Sequence, residues 1–129
     1  MTGRSPLWWL LAAIAAATIA SGLAQMVRPS LILGLIGGDT APSALHFFGI
    51  VGMFMALFGG ALLQALLSST PQPIVVFWAA LQKIGACVAV GIGVGRGIFG
   101  SLALAVAGFD LVSGLLAFWY WRGIRGAAQ

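Results

Sequence analysis

The 129-residue chain is 61% hydrophobic and 6% charged, against roughly a quarter charged in a soluble domain, which excludes water as the solvent for most of its surface. Two acids, Asp39 and Asp110, stand against five arginines and one lysine, giving a net charge of +4 on too few positions to form a basic face, so nucleic acid is not an expected partner. A single cysteine, Cys87, excludes both a disulfide framework and a thiolate metal cluster within one chain.

Crossing a hydrocarbon core of about 30 Å takes about 20 apolar residues. The runs between charge and proline marks predict four spans: Leu7 to Val27, Leu45 to Leu67, Ile74 to Val94 and Ile98 to Trp121. The expected fold is therefore all-α, one transmembrane domain over residues 1–129 built as a four-helix bundle.

The first span opens after Arg4 and is stopped at Arg28-Pro29. Arg4, the apolar run and Gly22-Leu23-Ala24 would also fit a cleaved signal peptide, but the segment is expected to stay as a membrane helix. The connection that follows carries Leu31-Ile32-Leu33-Gly34-Leu35-Ile36, too short to span and too apolar for water, and predicts an interfacial or re-entrant turn. Asp39, in Gly37-Gly38-Asp39-Thr40, is expected to make a turn or cap the next helix. His46, at the start of the second span, reads as an interfacial polar residue.

Ser68 to Pro73 separates the second span from the third, and Gly93 to Gly100 turns the chain around Arg96 into the fourth. Those last two spans are expected to form a tight antiparallel hairpin. Even span number puts Arg4, Arg122 and Arg125 on one side, with Arg28 and Arg96 opposite. Every tryptophan (Trp8, Trp9, Trp78, Trp119 and Trp121) and the only tyrosine, Tyr120, fall at the face that holds the three arginines. Clustered cations and an aromatic belt predict that both termini are cytoplasmic.

Small residues at four-residue spacing favour close helix packing in a bilayer. They predict ridges at Ala16, Ala20 and Ala24; at Gly52, Ala56 and Gly60; at Cys87, Gly91 and Gly95; and at Ala103, Ala107, Asp110 and Gly114.

Among residues that could carry chemistry, Lys83 and Asp110 stand out, because an unpaired charge at the bilayer centre costs roughly 2.5–3.5 kcal/mol. Lys83 lies thirteen residues before Arg96 and Asp110 thirteen after Gly97, so an antiparallel hairpin sets them level. They are expected to pair, either as a staple fixing the hairpin or as a proton- or anion-binding site. Gln82 and Ser113 complete the candidate polar site. Gln64 and Gln82 also read as interhelical hydrogen-bond donors and acceptors, and Cys87 as an inert core thiol. No catalytic group, metal set or cofactor fingerprint can be assembled, so neither an enzyme nor a bound cofactor is expected.

Several four-span architectures of this length are excluded by chemistry. The chain has no glutamate for a small multidrug transporter and no paired cysteines for a quinone-linked disulfide enzyme. It also lacks the arginine- and glutamate-bearing helix of membrane glutathione transferases and the phenylalanine, asparagine and threonine pattern of a fluoride pore. Three features do resemble the DoxX-like group of small bacterial four-helix membrane proteins: the proline-bearing first connection at Arg28-Pro29, the glycine-rich second span from His46-Phe47-Phe48-Gly49, and Asp110 in the last span. Some members of that group resemble accessory subunits of quinol-oxidising complexes. The resemblance therefore implies an auxiliary role, in a bacterial inner membrane, with other membrane subunits or further copies of the chain as partners. Lys83 matches no motif of the group. The alternative expectation is a small carrier or binding protein for a proton or a lipophilic ligand, centred on Lys83 and Asp110.

The topology is open to test. Fusions of a cytoplasm-active reporter to either end should both report cytoplasmic, and a C-terminus found outside while the N-terminus is inside would refute four crossings.

Overall fold

The computed structural model describes residues 3–126. They form five helices: α1 (Pro6–Val27), α2 (Pro29–Leu35), α3 (Pro42–Leu67), α4 (Pro73–Gly95) and α5 (Leu102–Ile124). Four of these, α1, α3, α4 and α5, are long and apolar enough to cross a membrane, and no strand occurs among the described residues.

Proline both stops and starts these helices. Pro6, Pro29, Pro42 and Pro73 each occupy the first helical turn, where the missing N–H would have had no partner and φ is already helical. As a result α3 begins three residues before the expected Leu45. At the first helix Ser5 adds a side-chain cap, accepting from the Trp8 N–H at 3.1 Å. Asp39 builds the expected turn ahead of α3, its Oδ1 accepting from the Ala41 N–H at 3.2 Å.

α2 and α4 end in the same way. At α2 the Gly38 N–H reaches the Leu33 carbonyl at 2.9 Å and the Gly37 N–H reaches Gly34 at 3.1 Å; at α4 the Ile98 N–H reaches Gly93 at 2.8 Å and the Gly97 N–H reaches Val94 at 3.0 Å. Both are left-handed caps, with φ of 79° at Gly37 and 73° at Gly97, a conformation that glycine adopts without a Cβ clash. The two caps then meet, because the Gly100 N–H donates to the Ile36 carbonyl at 2.7 Å. This tie holds the chain in a turn through Ser101, so α5 starts at Leu102 and not at the expected Ile98. The last helix also runs on to Ile124, beyond the expected Trp121, since no proline intervenes.

Packing is uneven around the bundle. α1 lies mainly on α3, and α4 mainly on α5, while α3 with α4 and α1 with α5 touch more lightly. The expected α4–α5 hairpin is thus present, and the molecule is two antiparallel pairs with α1 diagonal to α4. The short α2 packs on α1 and α3, occupying the connection where a non-spanning segment was expected.

Interior positions follow a 4–3–4–3 spacing. On α1 they are Leu11, Ala15, Thr18, Gly22 and Gln25, and on α5 Ala103, Ala107, Asp110, Gly114 and Ala117, all buried. Such a 3.5-residue period keeps one seam facing its neighbours in a left-handed bundle. Two of the four expected ridges differ. Ala16 and Ala20 of α1 face outward and Ala24 is half-buried; on α4 Cys87 and Gly91 are half-buried and Gly95 is exposed, the interior being Val76, Ala79, Ala80, Lys83 and Gly93. Small residues occur on every face of these helices, so their spacing alone does not choose a face; the polar side chains Thr18, Gln25 and Lys83 do, because they need partners that only the interior offers. On α3, Gly52 is buried as expected and Ala56 and Gly60 are half-buried.

Close approach of α1 and α3 centres on Gly22 and Gly52. A Cβ on Gly52 would sit 2.6 Å from the Gly22 carbonyl oxygen, and one on Gly22 would collide with the Gly52 carbonyl and the Ala56 amide nitrogen. These obstructing atoms are backbone, joined at Gly52 by the Gln25 Cβ, and none of them can rotate away. At the other end of this interface the Trp8 Nε1–H donates to the Leu66 carbonyl at 3.0 Å, satisfying one of the last carbonyls of α3. Around it lies the main apolar cluster, which joins Trp8, Leu11 and Ala15 to Leu62, Val76, Ala80 and Ala117.

Gly52→Leu should destabilise the fold by about 1–3 kcal/mol or more through overpacking. Gly85→Ala, where a Cβ meets open space, should stabilise α4 by about 0.5–1 kcal/mol. Reversible unfolding in mixed detergent micelles measures both; equal effects would refute the packing assigned to Gly52.

Candidate functional site

Thr18 of α1, Lys83 of α4, and Asp110 and Ser113 of α5 form the polar centre of the bundle, at 2%, 4%, 8% and 1% exposure. At 1.5 Å rise per residue each lies about 12–21 Å from the ends of its helix, so all four sit near mid-depth. Their burial follows from the seam spacing: Thr18 and Asp110 occupy interior positions of the 3.5-residue repeat, and Ser113 lies beside them on the turn after Asp110.

Lys83 is the hub. Its Nζ lies 3.4 Å from Asp110 Oδ1, the contact expected from their equal distance to the Arg96 turn. The same ammonium also donates to Thr18 Oγ1 on the diagonal helix. Thr18 in turn commits its only hydrogen to the Ile14 carbonyl at 2.8 Å, so towards Lys83 its oxygen is an acceptor. A third contact is the Phe109 ring, whose centroid lies 5.2 Å from Nζ, within the range at which a cation is attracted to an aromatic face. The charge is therefore met by a carboxylate, a hydroxyl and a π-face, from three sides.

Ser113 Oγ is buried with no hydrogen-bond partner. It stands one turn along α5 from Asp110 and is the one member of the cluster whose polar capacity is unused. Gln82, expected in the same site, is half-buried and turned about 100° around α4 from Lys83; no hydrogen bond joins it to the cluster. Gln64 is exposed near the end of α3, Cys87 is half-buried and not in the core as expected, and His46 is exposed. Among the described residues no group of three His, Cys, Asp or Glu side chains gathers closely enough to hold a metal ion.

Two buried polar residues escaped the sequence reading. Thr18 and Gln25 lie seven residues apart on α1; Gln25 Nε2 donates to the Phe48 carbonyl of α3 at 3.2 Å. The available signal was their shared seam with Leu11, Ala15 and Gly22, a heptad separation that marks one face of a helix.

Chemically the arrangement can do two things. It can bind the two helix pairs together, since Lys83 belongs to one pair and Thr18 to the other, and it can hold a mobile proton between an amine and a carboxylate enclosed by apolar residues. No known protein family, curated protein or solved structure matches the chain, so the site is read from its own geometry.

Asp110→Asn should cost about 3–5 kcal/mol, because it leaves the Lys83 ammonium buried without its counter-charge. Adding Lys83→Met should recover a substantial part of that loss. The double-mutant cycle in detergent micelles, with Lys83→Met alone as its remaining corner, measures the coupling; a double-variant loss equal to the sum of the two single losses would show that the contact contributes nothing. Thr18→Val should cost about 1.5–3 kcal/mol, the range for a hydrogen bond to a charged group.

Proposed function

We propose that the chain is a multi-pass protein of a bacterial inner membrane, with both termini cytoplasmic, that works without catalysis as an accessory or assembly subunit of a larger membrane complex. Four helices of sufficient length and apolarity support the insertion. The observation that carries the subunit role is the outer face of α1: Ala13, Ala16, Ala17, Ala20 and Ser21 are all exposed, a small-residue ridge at four-residue spacing that the bundle itself leaves uncovered. In lipid such a ridge lets another helix approach to backbone contact, which is how helices associate where leucine-rich surfaces gain nothing over lipid tails. Similarity in layout to the DoxX-like proteins supports the same role.

A second reading, a small carrier for a proton or a lipophilic ligand, draws on the unpartnered Ser113 hydroxyl next to the Lys83 and Asp110 pair. In that reading the polar centre is the working site, and the ridge on α1 joins copies of the same chain.

Purification in mild detergent followed by mass spectrometry separates the two. Stoichiometric co-purification of other membrane subunits, abolished by Ala16→Leu with Ala20→Leu while helical content and unfolding midpoint stay unchanged, is the expected result. A homo-oligomer carrying a quinone or another lipophilic small molecule would favour the carrier, and a monomer unaffected by the paired substitution would refute the ridge.

A further inference from the structure

At the end of the bundle where α4 begins and α5 finishes, a groove of about 650 Å³ is lined by Pro73, Ile74, Phe77, Trp121, Arg125 and Gly126. Its volume is in the range that takes a small organic ligand. The walls are apolar and aromatic: the Phe77 and Trp121 rings lie 5.1 Å apart and both pack on Phe118, and Ile74 is 67% exposed. The only charged group in the lining is Arg125, whose guanidinium lies 5.1 Å from the Trp121 ring centroid. Stacking on that ring holds the cation at the groove while leaving its N–H edges free to bind an anion.

Charge at this end is not compensated by side chains. Arg4, stacked 4.0 Å from the Trp8 ring, Arg122 and Arg125 all belong here. The chain's only acids are Asp39, in the connection at the opposite end, and Asp110, enclosed with Lys83. α4 adds to the positive potential, since it starts in the groove with no side-chain cap on its first turn. The last carbonyls of α5 carry the opposite partial charge, which the two full charges of Arg122 and Arg125 outweigh.

An occupant must then offer an anion to Arg125 and hydrocarbon to Ile74, Phe77 and Trp121, side by side at the level where the helices end. We infer that the groove is a binding site for one anionic phospholipid, its phosphate on Arg125 and its glycerol and upper acyl chain on the Phe77, Ile74 and Trp121 surface. The inference rests on membrane insertion but on neither of the two roles proposed above.

Native mass spectrometry of the whole chain in mild detergent, offered equal amounts of phosphatidylglycerol and phosphatidylcholine with identical acyl chains, tests it. One phosphatidylglycerol should be retained preferentially. Arg125→Gln should weaken that retention about fivefold, the effect of one basic side chain at an anionic lipid surface, while Arg125→Lys keeps more than half of it. Arg4→Gln, which removes a cation at the same end but outside the groove, should leave retention unchanged. Equal retention of the two lipids, equal loss in Arg4→Gln and Arg125→Gln, or displacement of the lipid by inorganic phosphate alone would overturn the assignment. Arg125 is exposed, so circular dichroism of both Arg125 variants should match the parent, and an unfolded Arg125→Gln leaves the lipid preference of the parent and of Arg125→Lys to decide.

Discussion

A single ammonium group organises the interior. Lys83 is buried among apolar helices, and a cation in that position must find partners or cost several kcal/mol. Asp110 meets it from the neighbouring helix of the same pair and Thr18 from the diagonal helix of the other. Because α1–α3 and α4–α5 are each internally well packed but touch each other lightly, this is the polar link that ties the pairs at mid-depth. Rotating either α1 or α5 by one seam position would strand the charge, so the contact also fixes which face of each helix is inside.

Above and below that level the pairs are held by different means. At the tryptophan-rich end the link is apolar, with Trp8, Leu11 and Ala15 of α1 in one cluster with Val76, Ala80 and Ala117. At the opposite end it is backbone, where the caps of α2 and α4 meet through the Gly100 to Ile36 hydrogen bond. Within the first pair the small residues Gly22 and Gly52 allow backbone contact, and Gln25 adds a hydrogen bond from side chain to main chain. Few large side chains are consumed in the interior, which leaves most of them outside: Phe47, Leu57, Leu115 and Trp119 are each more than half exposed. Such a surface suits hydrocarbon, which solvates leucine and phenylalanine without the penalty that water imposes.

The proposed subunit role and the lipid site both draw on what this economy leaves uncovered. The alanine ridge on α1 is free because the seam of that helix runs through Thr18 and Gln25. The groove between α4 and α5 is basic and aromatic because every tryptophan and three of the five arginines gather at one end, so a lipid site and a helix-docking face can coexist on different sides of the bundle.

Length and polarity patterns decide much of this from the amino-acid sequence by itself. Apolar runs of some twenty residues set the number of long helices, prolines and glycines set most of their limits, and similar separation from the Arg96 turn brought Lys83 within reach of Asp110, because an antiparallel hairpin sets residues equally far from its turn near one level. What only the tertiary structure decided is which face of each helix turns inward. Alanine and glycine surround these helices on all sides, so a one-dimensional spacing rule chose Ala16 and Ala20 where the bundle uses Ala15, Thr18 and Gly22. Thr18 became part of the site through α1 lying diagonally across from α4, a relation between segments far apart in the chain. Likewise the delayed start of α5 depends on a hydrogen bond to the connection after α2. Hydrophobic length is a local property and can be read along the chain; the partner of a buried polar group is a property of the assembled bundle, fixed only when the other helices are in place.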